Sequence, residues 1–489
     1  MEKHHLDHLF NPESLAVIGA SEKEAGIGRA LVQNLQDAGF PGATYLINPR
    51  HDQILGMQAY PSVRQVQAPI DLAVIAIPIK EIPKVVEECG QVGVKTAVII
   101  SAGGRETGPE GEKIEAAIHA EALKWGIRYL GPNCWGIICP PCKLHATFAP
   151  HFTRPGSLAF ISQSGALCSS IIGWAELKNI GFSHFLSLGS KADLDFADLI
   201  DYFGNQDKVR SIILYMEHLT RHRKFMSAAR SVSRVKPIIV IKAGRMFAGA
   251  RGVTPSGGIW PGMDTAYTAA FRRAGIIRVD TFGQLFDCAE ALEKVQRPLG
   301  NSLGIITNAG GPGVMAVDAL TRWQVEPGAL SPETLVKLRE ILPPYRIPGN
   351  PVNLLGDASP ERYARAVEIG LEARELSGLV IILSPQALTD STGVARAVAA
   401  AAGGKAKPVF AVWMGGGEVA PGIHVLNDAG IPTFETPSRQ WTPFWRCSPI
   451  PGTWNSCNRR RPACPRNSRS TPPRPGPLSS SAWRAGPGC

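Results

Sequence analysis

Ser14-Leu-Ala-Val-Ile-Gly-Ala-Ser-Glu-Lys-Glu-Ala-Gly-Ile-Gly28 is the stretch whose reading decides the fold. Its apolar start runs without alternation, as a strand buried on both faces does. The run stops at Gly19-Ala20-Ser21, and Gly26-Ile-Gly28 turns the chain into an amphipathic helix predicted over 29–38. A buried strand followed by such a helix needs a parallel neighbour reached by crossover. Three neighbours follow, at 44–48, 72–77 and 96–100, with helices predicted over 82–90 and 109–125. The fold class is therefore α/β, with a doubly wound parallel sheet. Each strand ends in turn chemistry: Gly19-Ala20-Ser21, Asn48-Pro49-Arg50, Ile77-Pro78 and Ile100-Ser101-Ala102. These carboxyl ends line one edge, where a nucleotide-like ligand binds in an open α/β sheet. The helix after Gly19 presents free N–H groups to a phosphate. A G-x-G-x-x-G motif is absent, so four consistent strand ends carry this reading rather than the glycines alone.

Two further units repeat the scheme. Ser157-Leu-Ala-Phe-Ile161 reads as a strand, then Ser162-Gln163-Ser164-Gly165 opens an apolar helix over 166–177. Hydroxyls and free N–H groups at a helix start serve equally as an anion cradle or as plain N-caps. Strands at 185–188, 211–215 and 238–241 follow, with Glu217 just past the third strand of this unit. A lone carboxylate there is expected in solvent. From Leu303 a third unit has a strand at 304–307, a Gly-rich turn containing Asn308, Gly310 and Gly311, and a helix over 314–322. Its later strands are at 379–383 and 409–413. Between strand 238–241 and the helix over 265–274, Lys242 to Asp264 forms a Gly-rich loop. It has the form of a reaction loop, yet it holds no histidine, cysteine or carboxylate before Asp264.

The chain's 489 residues suit about three domains at roughly 150 residues each. Nine of its ten net positive charges are arginines after Glu435, so residues 1–435 carry a net charge of +1. A nearly neutral body gives no argument for nucleic-acid binding. No apolar run approaches the ~20 residues that span a bilayer, and no signal peptide starts the chain. A cytoplasmic location without membrane attachment is expected. Cys134, Cys139 and Cys142 have metal-ligand-like spacing, but a fourth ligand is missing and Pro140-Pro141 stiffens the cluster. Reduced thiols and no metal are expected.

The motifs together resemble one family, the NDP-forming acyl-CoA synthetases, and in particular the α subunits of ADP-forming acetate–CoA ligases, relatives of succinyl-CoA synthetase. The matching stretches run in the family's order: Leu15 to Ser21, Ile47 to Arg50, Gly131-Pro-Asn-Cys134, Ile161 to Leu167, Ser187-Leu-Gly-Ser-Lys-Ala-Asp193, Tyr215-Met-Glu217, Lys242 to Arg245, Thr307 to Gly313, Gly349 to Asn353 and Trp413 to Gly416. The resemblance implies a Rossmann-like CoA-binding domain over 8–135 and two flavodoxin-like ligase domains over 150–295 and 300–439. It implies coenzyme A along Gly19, Ala20, Ser21, Asn48, Pro49, Arg50, Ile77, Pro78, Ile100, Ser101, Ala102, Asn133 and Cys134. Phosphate would be held at Ser162, Gln163, Ser164 and Gly165, and at Asn308, Gly310 and Gly311. Glu217 matches the carboxylate that orients a phosphohistidine. The family joins a small carboxylic acid to CoA through an acyl phosphate, and a histidine relays the phosphoryl group to a nucleotide on an ATP-grasp unit. ATP/ADP and Mg2+ would enter only through such a partner, a β subunit; a homo-oligomer is the other expected assembly.

Two features depart from the family. Its reaction loop usually reads Ser-His-Thr-Gly-Ala-Leu-Ala-Gly; here the aligned residues are Pro255-Ser-Gly-Gly-Ile-Trp-Pro-Gly262, and Ser256 stands in the histidine's place. A serine phosphate is an alkyl ester and a poor phosphoryl donor, so relay is expected to be impaired. His145, His184 and His218 are expected on the surface or in turns. The alternative function is a catalytically silent CoA-binding regulatory module derived from a protein acetyltransferase. Beyond residue 439 the pattern collapses into an acid-free Arg/Pro/Ser/Cys/Trp tail, expected to be disordered over 440–489. Arg439 to Cys447 can be written CGG CAG TGG ACG CCT TTC TGG CGC TGT, and dropping two bases gives Ala-Val-Asp-Ala-Phe-Leu-Ala-Leu, an amphipathic pattern. Gly252-Val-Thr-Pro255 written GGC GTC ACA CCG gives Ala-Ser-His after one base is dropped. Both departures are thus predicted to be frameshift products. Sequencing the encoding DNA is expected to show a better open frame across both segments; a gene without one overturns this.

Overall fold

The computed structural model describes residues 4–244, 263–294, 300, 302–322 and 326–437. They contain three α/β layers. The first sheet has the order Gln53–Ile54, Met57–Tyr60, Ala43–Ile47, Ser14–Ile18, Leu72–Ile75, Thr96–Ile99, Arg128–Leu130. All pairs are parallel except the edge hairpin Gln53–Ile54/Met57–Tyr60. Ser14–Ile18 lies at the switch point, between Ala43–Ile47 and Leu72–Ile75, where the strand order reverses. Leu15, Ala16 and Val17 are fully buried there, because helices cover both faces. Gly19 takes φ +96°, and a Cβ on it would collide with the Ala76 carbonyl. Only glycine lets the chain leave this strand so close to its neighbour.

The second sheet places Pro155–Ser162 between Phe182–Ser187 and Ser211–Met216, with Ile238–Lys242 and Ile277–Val279 beyond. These five parallel strands have flavodoxin-like order. An antiparallel hairpin, Gly136–Cys139 with Leu144–Thr147, extends the sheet beside Phe182–Ser187. The third sheet repeats the order with Glu326–Pro327, Ser302–Thr307, Gly378–Leu383, Val409–Trp413 and Thr433–Phe434, and Val352–Asn353 also pairs with Ser302–Thr307. The fold is thus the expected Rossmann-like unit followed by two flavodoxin-like units. The third unit's first helix begins at Gly310, earlier than expected, so Gly310 and Gly311 form its first turn. The Thr307 hydroxyl accepts from the Ala309 N–H at 3.0 Å and so starts that turn. Among the described residues no helix is long and apolar enough to cross a membrane.

The first two units share one core. Leu31, Val74 and Leu130 of the first join Ile161, Leu214 and Val240 of the second. Their loops also interlock: Gly131 N–H donates to Leu188 O at 3.2 Å, Ser190 N–H to Pro132 O at 2.9 Å, and Leu194 N–H to Tyr129 O at 3.3 Å. Arg128 fastens the seam with Nε 2.9 Å from Asp193 Oδ2 and Nη2 3.1 Å from Asp198 Oδ1.

The second and third units meet at an ionic cluster on the helix Phe282–Lys294. Glu290, 1% exposed, takes Lys294 at 3.0 Å and the Thr433 N–H at 3.0 Å. Asp287 is also buried, with Lys178 at 3.6 Å. Burial pushes its carboxyl up to about 7; Lys178 pulls the other way, and Glu290 and Glu435 add to the rise. A carboxyl raised on folding stabilises the fold below the ordinary carboxylate range, and that stability is lost as pH rises through about 7. The melting temperature of Asp287→Asn relative to the unaltered chain is therefore expected to increase between pH 5 and pH 8. Calorimetry at both values checks this, and a difference independent of pH would contradict it.

Candidate functional site

A cleft of about 550 Å³ opens where the carboxyl edges of the first two sheets meet. From the first unit it is lined by Ile100, Ser101, Ala102, Asn133 and Cys134, and from the second by Gln163, Gly165, Glu217 and His218. Residues expected to hold CoA and residues expected to hold phosphate therefore face one space. The other strand ends continue along the first sheet's edge, outside the cleft lining. Asn48 Nδ2 donates to Ala20 O at 2.7 Å, and Asn48 Oδ1 accepts from the Arg50 N–H at 2.8 Å. Ser101 Oγ donates to Ile77 O at 2.5 Å, and the Asn133 N–H reaches Ser101 O at 2.9 Å. These bonds build the rim in two linked groups of strand ends, Ala20 with Asn48 and Arg50, and Ile77 with Ser101 and Asn133.

The helix Gly165–Leu177 points its N-terminus into the cleft, with Gly165, Ala166 and Ser169 on the wall. Ser164 is the N-cap residue but makes no side-chain capping bond. The Ser162 hydroxyl accepts the Ser164 N–H at 3.1 Å and donates back to Ser164 O at 2.7 Å. The first-turn N–H groups thus keep their capacity for an anion. Two buried hydroxyl groups nearby, Ser187 Oγ and Ser190 Oγ, make no hydrogen bond among the described residues. Ser187 Oγ lies 3.7 Å from where a Cβ on Gly165 would sit, so this hydroxyl is in ordinary contact range of the helix start.

Gln163 organises the far wall. Its Oε1 accepts from the backbone N–H groups of Glu217 at 3.0 Å and His218 at 3.1 Å. That fixes the amide orientation, so Nε2 must donate to His218 Nδ1, 2.7 Å away. The neutral imidazole then carries its proton on Nε2. Burial pushes His218 down to about 4, aided by the positive charges of Lys191, Lys242 and Arg105. Glu217 is half-buried rather than free in solvent; burial raises its carboxyl while Lys191 and Lys242 oppose that rise. Lys191, 6% exposed, donates to His218 O at 2.8 Å. Burial lowers it to about 8 against the pull of Asp195 and Glu217. Lys242 is 4% exposed, with Nζ 4.6 Å from the Tyr267 ring centre. Trp135 and Phe148 supply apolar wall.

His218 is thus not a bystander in a turn, and His145 and His184 are buried in strands rather than exposed. Phe152 lies 5.2 Å from the His145 ring, and Phe10 and Phe203 lie 5.3 Å and 4.7 Å from the His184 ring. Lys191 and His218 were missed as site residues. For His218 the only sequence signal was its place just beyond a strand end, whereas Lys191 also lies within the family-like stretch Ser187 to Asp193. In the third unit Asn308 is 2% exposed; its amide donates to Ser384 O at 2.8 Å and accepts from the Ser384 N–H at 2.9 Å. Its side chain ties two turns together, so Asn308 spends its amide within the protein, while Gly310 and Gly311 stand at the helix start. Ser256 lies outside the described residues. Among the described residues no group of three or more metal-ligating side chains occurs.

Three family models match the chain: a CoA binding domain over residues 13–140, a succinyl-CoA ligase like flavodoxin domain over 155–292 and a Ligase-CoA domain over 303–441. The chain is 41% identical over 443 residues to acetate–CoA ligase (ADP-forming) I subunit alpha of Pyrococcus furiosus, a match covering 89% of this chain and 95% of that one. It is also 41% identical over 434 residues to acetate–CoA ligase (ADP-forming) I of Archaeoglobus fulgidus, of whose length the match spans 62%. Among solved structures, the dinucleotide forming acetyl-coenzyme A synthetase 1 of Ca. Korarchaeum cryptofilum, in its apo form, has a TM-score of 0.85 and 36% identity. That match covers 90% of this chain and 96% of that one.

The tautomer assignment is directly testable. Nitrogen-15 NMR is expected to show His218 neutral at pH 6, with the proton on Nε2. Lys191→Met removes one of the charges that disfavour imidazolium, so the His218 titration should move upward from about 4. An unchanged or lower midpoint would contradict the electrostatic account.

Proposed function

The chain belongs to the ADP-forming acetate–CoA ligase family, and we propose that it is an α-type subunit that binds CoA and joins it reversibly to a small, acetate-like carboxylic acid. The observation that carries this is the shared cleft, which sets the Ser101 and Asn133 rim against the Gly165 helix start, Glu217 and His218. In that reaction the CoA thiolate attacks the carbonyl of an acyl phosphate, a thioester forms, and phosphate leaves. The cleft suits both ends of this exchange. The rim offers backbone groups and hydroxyls to a long, polar ligand, and its volume accommodates that ligand's reactive end. The helix N-terminus, Lys191 and Lys242 offset the charge of a phosphate dianion with dipoles and charges already in place. His218 Nε2–H is a neutral donor for a developing oxyanion.

Phosphoryl relay is a separate matter. It needs a nucleophilic imidazole that Glu217 can orient, and a nucleotide site that we assign, with its Mg2+, to an ATP-grasp partner. With Ser256 in the histidine's place, the relay fails while CoA binding survives. The same substitution supports a second reading, a silent CoA-binding regulatory module. The two differ in whether a restored loop regains phosphorylation.

Calorimetric titration is expected to show saturable CoA binding by the unaltered chain, weakened at least about tenfold by Ser101→Leu at the rim. A folded chain without CoA binding overturns the reading. Radiolabelled acetyl phosphate is expected to leave the unaltered chain unlabelled. It should label a chain whose residues 255–262 are replaced by Ser-His-Thr-Gly-Ala-Leu-Ala-Gly, and Glu217→Gln in that background should reduce labelling at least about tenfold. Labelling of the unaltered chain would refute the predicted loss; a restored chain that stays unlabelled would favour the regulatory module.

A further inference from the structure

A second cavity, of about 400 Å³, is separate from the cleft and is lined by Cys139 and Cys142 together with Asp7, His184, Tyr202 and Lys208. The two cysteines bracket Pro140-Pro141, a C-x-x-C spacing. They sit at the tip of the hairpin that extends the second sheet. Cys139 ends the strand Gly136–Cys139, and Cys142 closes the one-turn 3₁₀ helix Pro140–Cys142. In such a turn side chains three residues apart lie nearly one above the other, and the prolines hold it. The thiols accordingly reach each other: they are hydrogen-bonded, and Cys142 Sγ also donates to Cys139 O at 3.4 Å and to Phe10 O at 3.3 Å. Both are free thiols in this structure.

The pair is also chemically unequal. Cys139 is 4% exposed, and the hydrogen bond it gives Cys142, together with burial, holds its proton on. That same bond lowers the Cys142 thiol from its ordinary value against the effect of burial, and Cys142 is half-buried on the cavity wall. Elsewhere burial raises the thiols: Cys89 and Cys134 to about 12, and Cys168 upward as well. The more exposed thiol, shifted toward losing its proton, beside a buried thiol that keeps its own is the arrangement of an attacking and a resolving cysteine.

We propose that Cys139 and Cys142 form a thiol–disulfide exchange site that reacts with low-molecular-weight disulfides through this cavity. The Cys142 thiolate attacks one sulfur of the external disulfide, forming a mixed disulfide and expelling the first thiolate. Cys139 then gives up its proton and attacks Cys142 Sγ, closing the Cys139–Cys142 disulfide and expelling the second thiolate. Two electrons pass from the protein to the external disulfide, and the two protons finish on the released thiols. Nothing in this exchange depends on acyl-CoA chemistry.

The test treats the reduced full chain with oxidised glutathione and maps peptides by mass spectrometry. The peptide carrying both cysteines is expected to lose two hydrogens. In Cys139→Ser the resolving thiol is gone, so a stable glutathione adduct on Cys142 is expected. In Cys142→Ser any adduct on Cys139 should form at least about tenfold more slowly. Circular dichroism establishes that each variant is folded. Two unreacted thiols in the folded chain, a lasting adduct on Cys142 of the unaltered chain, or faster modification of Cys139 would each overturn the proposal.

Discussion

The cleft depends on how two loops are locked together. Residues 131–133 leave the last strand of the first sheet, and residues 188–192 leave a strand of the second. They bond to each other through main-chain groups, so no side-chain motion can separate them. Gly189 lies so close to Pro132 that a Cβ would strike its carbonyl. Asn133 and Lys191 both take left-handed backbone conformations, at φ +56° and +59°, which non-glycine residues seldom adopt. Such strain persists only where the surroundings over-determine it. Here the interlock and the Arg128 ion pairs do so, and both strained residues stand beside the site.

This rigidity shapes the electrostatics. Lys191 and Lys242 are held almost out of water beside Glu217 and His218. Burial alone would neutralise all four groups, and their mutual charges set how far each yields. Glu217 is pushed toward its protonated form by burial but held back by both lysines, while burial, aided by those lysines and Arg105, keeps His218 neutral. Lys191 and Lys242 thus stand as buried cations near the neutral His218 imidazole, and His218 lines the same cleft as the helix start at Gly165. Gln163 completes the arrangement: its two backbone bonds fix the amide, and the amide fixes the proton on His218 Nε2.

The units beyond the cleft differ in what they contribute. The second and third sheets have the same strand order, yet their first-helix starts are used differently. In the second unit the Ser162 hydroxyl bonds back to Ser164 and leaves the helix start open. In the third, Asn308 crosses to Ser384 and spends its amide on joining two turns. The ionic cluster around Asp287 and Glu290 ties the third unit to the second, and burial raises the Asp287 carboxyl within it.

The sequence alone determined the layers. Unbroken apolar runs such as Leu15-Ala-Val-Ile18 can be satisfied only by burial on both faces, and the helical patterns between them demand parallel crossovers. Turn residues at each strand end marked the binding edge, and a series of motifs in fixed order marked the family. The hairpin at 136–147 was hidden because Pro140-Pro141 and scattered cysteines obscure its alternation, and the strand it joins, Phe182–Ser187, comes much later in the chain. Lys191 and His218 were hidden for a deeper reason. A charge beyond a strand end looks solvated when only its neighbours in sequence are known. Whether water reaches it is decided by which loop of another sheet packs over it. Burial, tautomer and thiol reactivity are properties of that packing, so only the tertiary structure could assign them.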